Sequence, residues 1–182
     1  MIFHQTGLSG VFIIEPEPIA DDRGFFACAW TAREFQQHGL NINVRQCNIA
    51  FNASRGTIRG MHFQKEPHEE AKLTRCTRGA IYDVAIDLRP DSPARYQWVG
   101  VELTSDNHRM LYVPEGFAHG YQTLTDGAEM SYQVSEYYHA ESADGVRWDD
   151  PAFGIQWPLP VTVINERDAN YPLVNVKTPV TN

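Results

Sequence analysis

No apolar run in this sequence approaches the ~20 residues that cross a bilayer as a helix. Its start carries no signal-peptide pattern either. These absences lead us to expect a cytoplasmic protein with no membrane partner. Cysteine is scarce, and Cys28, Cys47 and Cys76 are an odd number without metal-ligand spacing, which reads as reduced thiols in a reducing compartment. Cations are in the minority, 15 Lys and Arg against 23 Asp and Glu, for a net charge of −8. Nonspecific nucleic-acid binding needs a basic face, so no nucleic-acid partner is expected. A small anionic ligand stays compatible with that charge if a few cations are gathered locally. No repeat, low-complexity tract or linker interrupts the 182 residues. They are expected to form a single domain, 1–182, long enough to bury a real core.

Helix signals are also few. Thr31 and Glu34 make a capping box that opens a short helix, and Gly39 closes it. The rest reads as β. Gly10 to Ile14 is a short apolar run, Asp21 to Gly24 a turn, and Phe25 to Trp30 a strand. From Val44 onward strand signals recur around 44–53, 56–64, 71–77, 79–88, 96–103, 109–113, 118–124 and 128–138. Turn chemistry separates them, such as Arg89-Pro90-Asp91-Ser92-Pro93 and Pro114-Glu115-Gly116. Many short strands predict a closed antiparallel sandwich or barrel, an all-β fold. The last forty residues, with Pro151, Pro158 and Pro160, predict extended chain and short helical turns packed across it.

The densest chemistry lies between Gly56 and Lys72, where Arg59, His62, Gln64 and Lys72 punctuate a β-like stretch. A guanidinium, an imidazole and an ammonium can together hold an anion and move a proton on it. Strict alternation would send Arg59 to the face opposite His62, and a bulge at Gly60 would bring both to one cavity. Alternation also places Asp83, Ala85 and Asp87 on one face of a strand, opposite Tyr82, Val84 and Ile86. Two carboxylates on one face of a central strand are costly unless cations or imidazoles meet them.

The segment Pro114-Glu115-Gly116-Phe117-Ala118-His119 resembles the second motif of cupins, small jelly-roll barrels. Where the usual first motif carries two metal-binding histidines, this chain reads His62-Phe63-Gln64. A metal site from His62, His119, Gln64 and Glu69 would therefore be poor. A longer series of motifs stands in order: Asp22 to Phe26, Ile58-Arg59-Gly60-Met61-His62, Lys72-Leu73, Asp83 to Arg89, Val113 to Gly120, Tyr137-Tyr138, Trp148-Asp149-Asp150-Pro151 and Arg167-Asp168. Together, over about residues 8 to 173, they resemble the dTDP-4-dehydrorhamnose 3,5-epimerase family of sugar-nucleotide epimerases. The resemblance implies a jelly-roll barrel, a homodimer, no metal, no organic cofactor and a place in deoxysugar biosynthesis.

Epimerising a 4-keto sugar nucleotide requires a base on one face of the carbon, stabilisation of the enolate oxygen, and an acid on the other face. His62 suits the base and Lys72 the enolate charge. The resemblance implies that Asp168 orients the histidine, with Asp83 as the rival partner on a neighbouring strand. It also implies that Tyr132 is the proton donor, where the residue alone reads as a barrel-wall aromatic. Arg23, Arg59, His119 and Arg167 are candidates for phosphates and sugar oxygens, since arginine's planar fork suits a diphosphate. Surface salt bridges are the alternative for each arginine. The resemblance further implies substrate contacts from Phe26, Gln46 and Asn48, and a nucleobase stacked on Tyr138. Cys28 and Ala143 stand where that family usually carries glutamates. The nucleotide, and whether one or both carbons react, stay open. A metal-dependent cupin enzyme or a non-catalytic cupin are the other classes.

Overall fold

The computed structural model of the chain describes residues 1–41 and 43–174. Its first strands, β1 (Ile2–Gln5) and β2 (Phe12–Glu15), form an antiparallel pair. A small separate hairpin follows, β3 (Ile19–Asp21) with β4 (Gly24–Phe26). The strand expected from Phe25 to Trp30 is thus only its beginning. Among the described residues no third strand flanks this hairpin, and the ladder stops at Phe26. Helix α1 (Ala32–Gln37) starts where the capping box predicts, with the Glu34 amide donating to Thr31 Oγ1.

The eight strands expected after Val44 are all present, within two residues at most ends. They are β5 (Gln46–Asn52), β6 (Ile58–Gln64), β7 (Lys72–Arg78), β8 (Ala80–Asp87), β9 (Trp98–Thr104), β10 (Met110–Val113), β11 (Phe117–Thr123) and β12 (Ala128–Val134). A short strand, β13 (Ala143–Gly145), and a one-turn helix, α2 (Glu166–Ala169), were not expected as such. Helix α2 is one of the short turns anticipated in the C-terminal segment; residues 175–182 of that segment lie outside the described residues.

Two antiparallel sheets face each other, one in the order β1-β2-β10-β7-β12-β5 and the other β13-β6-β11-β8-β9. This is the all-β, cupin-like jelly roll, and alternation explains its three layers of core. Inward residues such as Ile81, Ala85, Leu103, Leu111, Val113, Phe117 and Met130 form one cluster between the sheets. Phe35 and Leu40, from α1 and the residues after it, cover the outer face of the first sheet at Phe12, Ile14, Leu73 and Tyr112. The C-terminal segment covers the second sheet, with Phe153 and Trp157 packed at Val84, Ile86 and Met61.

The carboxylates of β8 therefore point into the barrel, and both are fully buried. Each meets the partner its cost demands. His119 Nε2 and the Thr74 hydroxyl flank Asp83, at 2.7 and 2.5 Å. Arg89 and Ser92 donate to Asp87. Burial alone would raise the Asp87 pKa, but those donors overcome it and hold the carboxyl below its usual range.

Candidate active site

Strand β6 is not regular, and its irregularity builds the site. His119 of β11 faces His62 while Tyr121 faces Arg59, so two steps on β11 oppose three on β6. The extra residue is the bulge expected at Gly60, which adopts φ +119°. A Cβ there would lie 2.5 Å from Gly120 Cα, so only glycine lets the two backbones meet this closely. The bulge turns Arg59 and His62 toward the same space. It also aims the Gly60 amide at Asp168, whose Oδ2 accepts at 3.0 Å.

Asp168 reaches that point from α2, which Asn165 caps by accepting from the Asp168 amide at 2.7 Å. Its Oδ1 lies 2.7 Å from His62 Nε2. Burial pushes the Asp168 pKa up, but the hydrogen bonds from His62 and Gly60, with the charges of His62 and Arg167, outweigh it and hold the carboxyl low. An ionised carboxylate can only accept, so Nε2 carries the proton and Nδ1 keeps the lone pair. Arg167 Nη2, 3.3 Å from Nε2, is then an electrostatic neighbour rather than a donor. Tyr171 packs edge-on to the His62 ring and beneath the Arg167 guanidinium.

A cavity of about 330 Å³ opens at this dyad, lined by Gln46, Asn48, His62, Lys72, Tyr132, Tyr138 and Arg167, among others. A smaller space of about 160 Å³ adds Arg59 and His119 while sharing His62, Lys72 and Tyr132. Lys72 is nearly buried, with Nζ 3.0 Å from Glu70 and 3.4 Å from the His62 carbonyl oxygen. An ammonium has three hydrogens, so one remains for a ligand. Tyr132 packs its ring against the interior apolar cluster and lines both spaces, so the barrel-wall reading and the functional one describe different ends of one side chain. Burial, then the charge of Glu70, raises its pKa against the opposing pull of Arg59. The phenol is therefore a neutral donor at ordinary pH.

Two of the expected site residues stand apart. Arg23 and Phe26 sit on the exposed β3–β4 hairpin, with Arg23 paired to Asp21, and neither lines the cavity of its own chain. The rival pairing of His62 with Asp83 is also corrected, because Asp83 is bonded to His119. The metal set imagined from His62, His119, Gln64 and Glu69 does not fit either. Gln64 spends its amide on the His68 and Tyr137 carbonyls and the His139 N–H. Sequence reasoning missed Glu70 and Tyr171. Glu70 had a legible signal, two positions from Lys72 and so on the same side of an extended chain.

The sequence model of the dTDP-4-dehydrorhamnose 3,5-epimerase family matches residues 5–175. A dTDP-4-dehydrorhamnose 3,5-epimerase of Sinorhizobium fredii is 42% identical over 173 residues, covering 94% of this chain and 89% of that one. The crystal structure of a Bacillus anthracis enzyme of that name, with TDP and pyrophosphate bound, superposes with a TM-score of 0.91 at 41% identity, over 95% of this chain and 99% of the other. A Legionella pneumophila epimerase solved in complex with dTDP-4-keto-L-rhamnose gives 0.89 at 34% identity, over 97% and 94%. This chain belongs to the dTDP-4-dehydrorhamnose 3,5-epimerase family.

Proposed function

We propose that the chain epimerises a nucleotide-linked 4-keto-6-deoxyhexose at C3 and C5, the conversion of dTDP-4-dehydro-6-deoxyglucose to dTDP-4-dehydrorhamnose. The observation that carries this reading is the convergence of the His62–Asp168 dyad, Lys72 and Tyr132 on one cavity. His62 Nδ1 takes the proton from the carbon alpha to the ketone, and Asp168 stabilises the imidazolium that forms. The electron pair moves onto the C4 oxygen, where the third Lys72 hydrogen meets the developing charge. Tyr132 then gives its proton to the opposite face of the carbon and is reprotonated from solvent. Arg59, Arg167 and His119 hold phosphate and sugar oxygens, Gln46 and Asn48 give polar contacts, and Tyr138 stacks on the nucleobase. The reaction calls for no metal and no organic cofactor. In this reading the whole chain, 1–182, is one catalytic domain.

The test is solvent exchange. Incubated in deuterium oxide with dTDP-4-dehydro-6-deoxyglucose, the protein is expected to place deuterium at both C3 and C5, read by mass and by NMR. Exchange at C3 alone would make it a single-carbon epimerase. Failure at both carbons with every nucleotide form offered would end the proposal.

The working unit in this reading is a homodimer. The outer side of β5 shows Ile49 and Phe51 to solvent, 71% and 53% exposed. The adjoining strands bury Arg75 Nε and Gln133 Oε1 with no partner among the described residues. The β3–β4 hairpin carries Ile19, Phe25 and Phe26, also exposed. A second copy would cover these exposed apolar side chains. Arg23 and Phe26, stranded in one chain, are proposed to reach the substrate of the other copy. Sedimentation equilibrium is expected to give twice the chain mass, and a monomer at micromolar concentration would contradict it.

A further inference from the structure

A second cluster of ligand-type side chains stands beside the cavity and takes no part in the chemistry above. His68 lies on the turn after β6, and His139 and Glu141 lie between β12 and β13. Their rings and carboxylate bring three ligand atoms within 4.8 Å of one another. The two imidazoles stack face to face, with centroids 3.5 Å apart and planes 7° from parallel. Glu141 Oε1 is 3.3 Å from His139 Nδ1.

The backbone beneath them is held firmly. The Gln64 amide donates to the carbonyls of His68 and Tyr137, at 2.9 and 3.0 Å, and its oxygen accepts from the His139 N–H at 2.7 Å. Ser142 and Ala143 donate to the His139 carbonyl from the other side. The two turns are thus presented to each other before any ligand arrives, and the ordering cost is already met.

We propose that His68, His139 and Glu141 form a binding site for a divalent transition-metal ion of the zinc class, outside the catalytic cavity, and that the ion fastens the turn carrying Tyr138 to the turn after β6. Two imidazoles and a carboxylate are borderline ligands that suit zinc, nickel or copper and not calcium or magnesium. A tetrahedral zinc site with bonds of about 2.0–2.2 Å has ligand atoms roughly 3.4 Å apart. Glu141, whose side chain is 72% exposed, is free to swing inward and close the wider spread, while the rings tilt out of parallel. A water completes the fourth position. Tyr138 precedes His139 and lines the cavity, so an ion on His139 restrains the ring that the proposed activity assigns to the base. Only that last link rests on the epimerase reading.

Calorimetric titration of tag-free, chelator-washed full chain with zinc chloride tests the site without any sugar nucleotide. The expected result is one equivalent per chain with micromolar affinity. His68→Ala and His139→Ala each weaken it about tenfold or more, at least what loss of an outer-shell partner costs a metal site, and His62→Ala leaves it unchanged. His139→Asn, which keeps a polar side chain on the turn, is expected to lose zinc equally and guards against a folding defect. Hydrogen exchange of amides 137–143 is expected to slow with zinc in the wild type and not in His139→Asn. No binding tighter than millimolar overturns the site. So does binding that survives His139→Ala and disappears with His62→Ala. Zinc bound at the site with unchanged exchange of 137–143 overturns the fastening.

Discussion

His62→Ala is expected to abolish deuterium exchange at both C3 and C5 while the barrel still folds. General-base catalysis contributes ~10²–10⁴-fold, about 3–5 kcal/mol of barrier, and the other histidine held by a buried carboxylate, His119 on Asp83, lines the smaller adjoining space, where the proposed reading gives it oxygen contacts instead. The cost to stability is smaller. Removing the imidazole leaves Asp168 buried, but the Gly60 amide still donates to it and Arg167 Nε stands 3.6 Å away. The loss is that of one charged hydrogen bond, about 1.5–3 kcal/mol. Its pH dependence has a definite sign. The Asp168 pKa is lowered in the folded state, so its contribution is full above the ordinary carboxylate range and is lost as the pH falls through the depressed value. Urea midpoints of wild type and variant are therefore expected to converge in acid. Asp168→Asn keeps the shape but not the charge and is expected to cost roughly 10²–10⁴ in rate through the wrong imidazole tautomer. A His62→Ala variant that exchanges within tenfold of wild type would remove His62 from the role of base.

Tyr132→Phe is expected to separate exchange from inversion. The change removes one oxygen and almost no volume, and the ring keeps its packing against the interior cluster. With His62 intact the proton still leaves, and solvent deuterium returns through the same imidazole on the same face. The proposed reading assigns no other donor to the opposite face once the phenol is gone. The expected product is labelled substrate of the original configuration, seen as deuterium wash-in without dTDP-4-dehydrorhamnose. Normal epimerisation by the variant would mean that Tyr138 or a water protonates the carbon. Loss of both exchange and inversion would place Tyr132 in substrate binding. The raised pKa of Tyr132, caused first by burial, adds that wild-type inversion should not decline in mild alkali from ionisation of this donor.

Much of this was legible before any coordinates. Turn chemistry marked the ends of the strands from β5 to β12, and a period of two placed Asp83 and Asp87 on one face. Gly60 in an otherwise β stretch pointed to the bulge, because a glycine there has no side chain to contribute to the sheet. Two of the strands missed, β1 and β13, lacked such punctuation, whereas β3 was missed because Asp21 was read only as the start of a turn. β1 is Ile-Phe-His-Gln and β13 only Ala-Asp-Gly, and each is a strand because a neighbour, β2 of equal length for β1 and the longer β6 for β13, offers it an edge.

The carboxylate partner of His62 failed for a different reason. Strand order is a property of the sheet and not of any segment. β6 and β8 are separated by β11, so Asp83 meets the histidine of β11 instead. Asp168, 106 residues from His62, could be found only through the family resemblance. Arg23 and Phe26 show the same limit in another form, since the sequence does not say that their hairpin stands clear of the chain's own cavity.

One contact in the site belongs to no side chain at all on one of its two ends. The Gly60 main chain grips Asp168, and every amino acid except proline carries the same amide. Yet the position admits a single letter. Any other residue would bring a Cβ into the Gly120 backbone at a φ that L-residues rarely adopt. In a library saturating every codon, position 60 would therefore be as intolerant as position 62, though it carries no functional group, and its intolerance would be blind to the size, charge or polarity of the replacement.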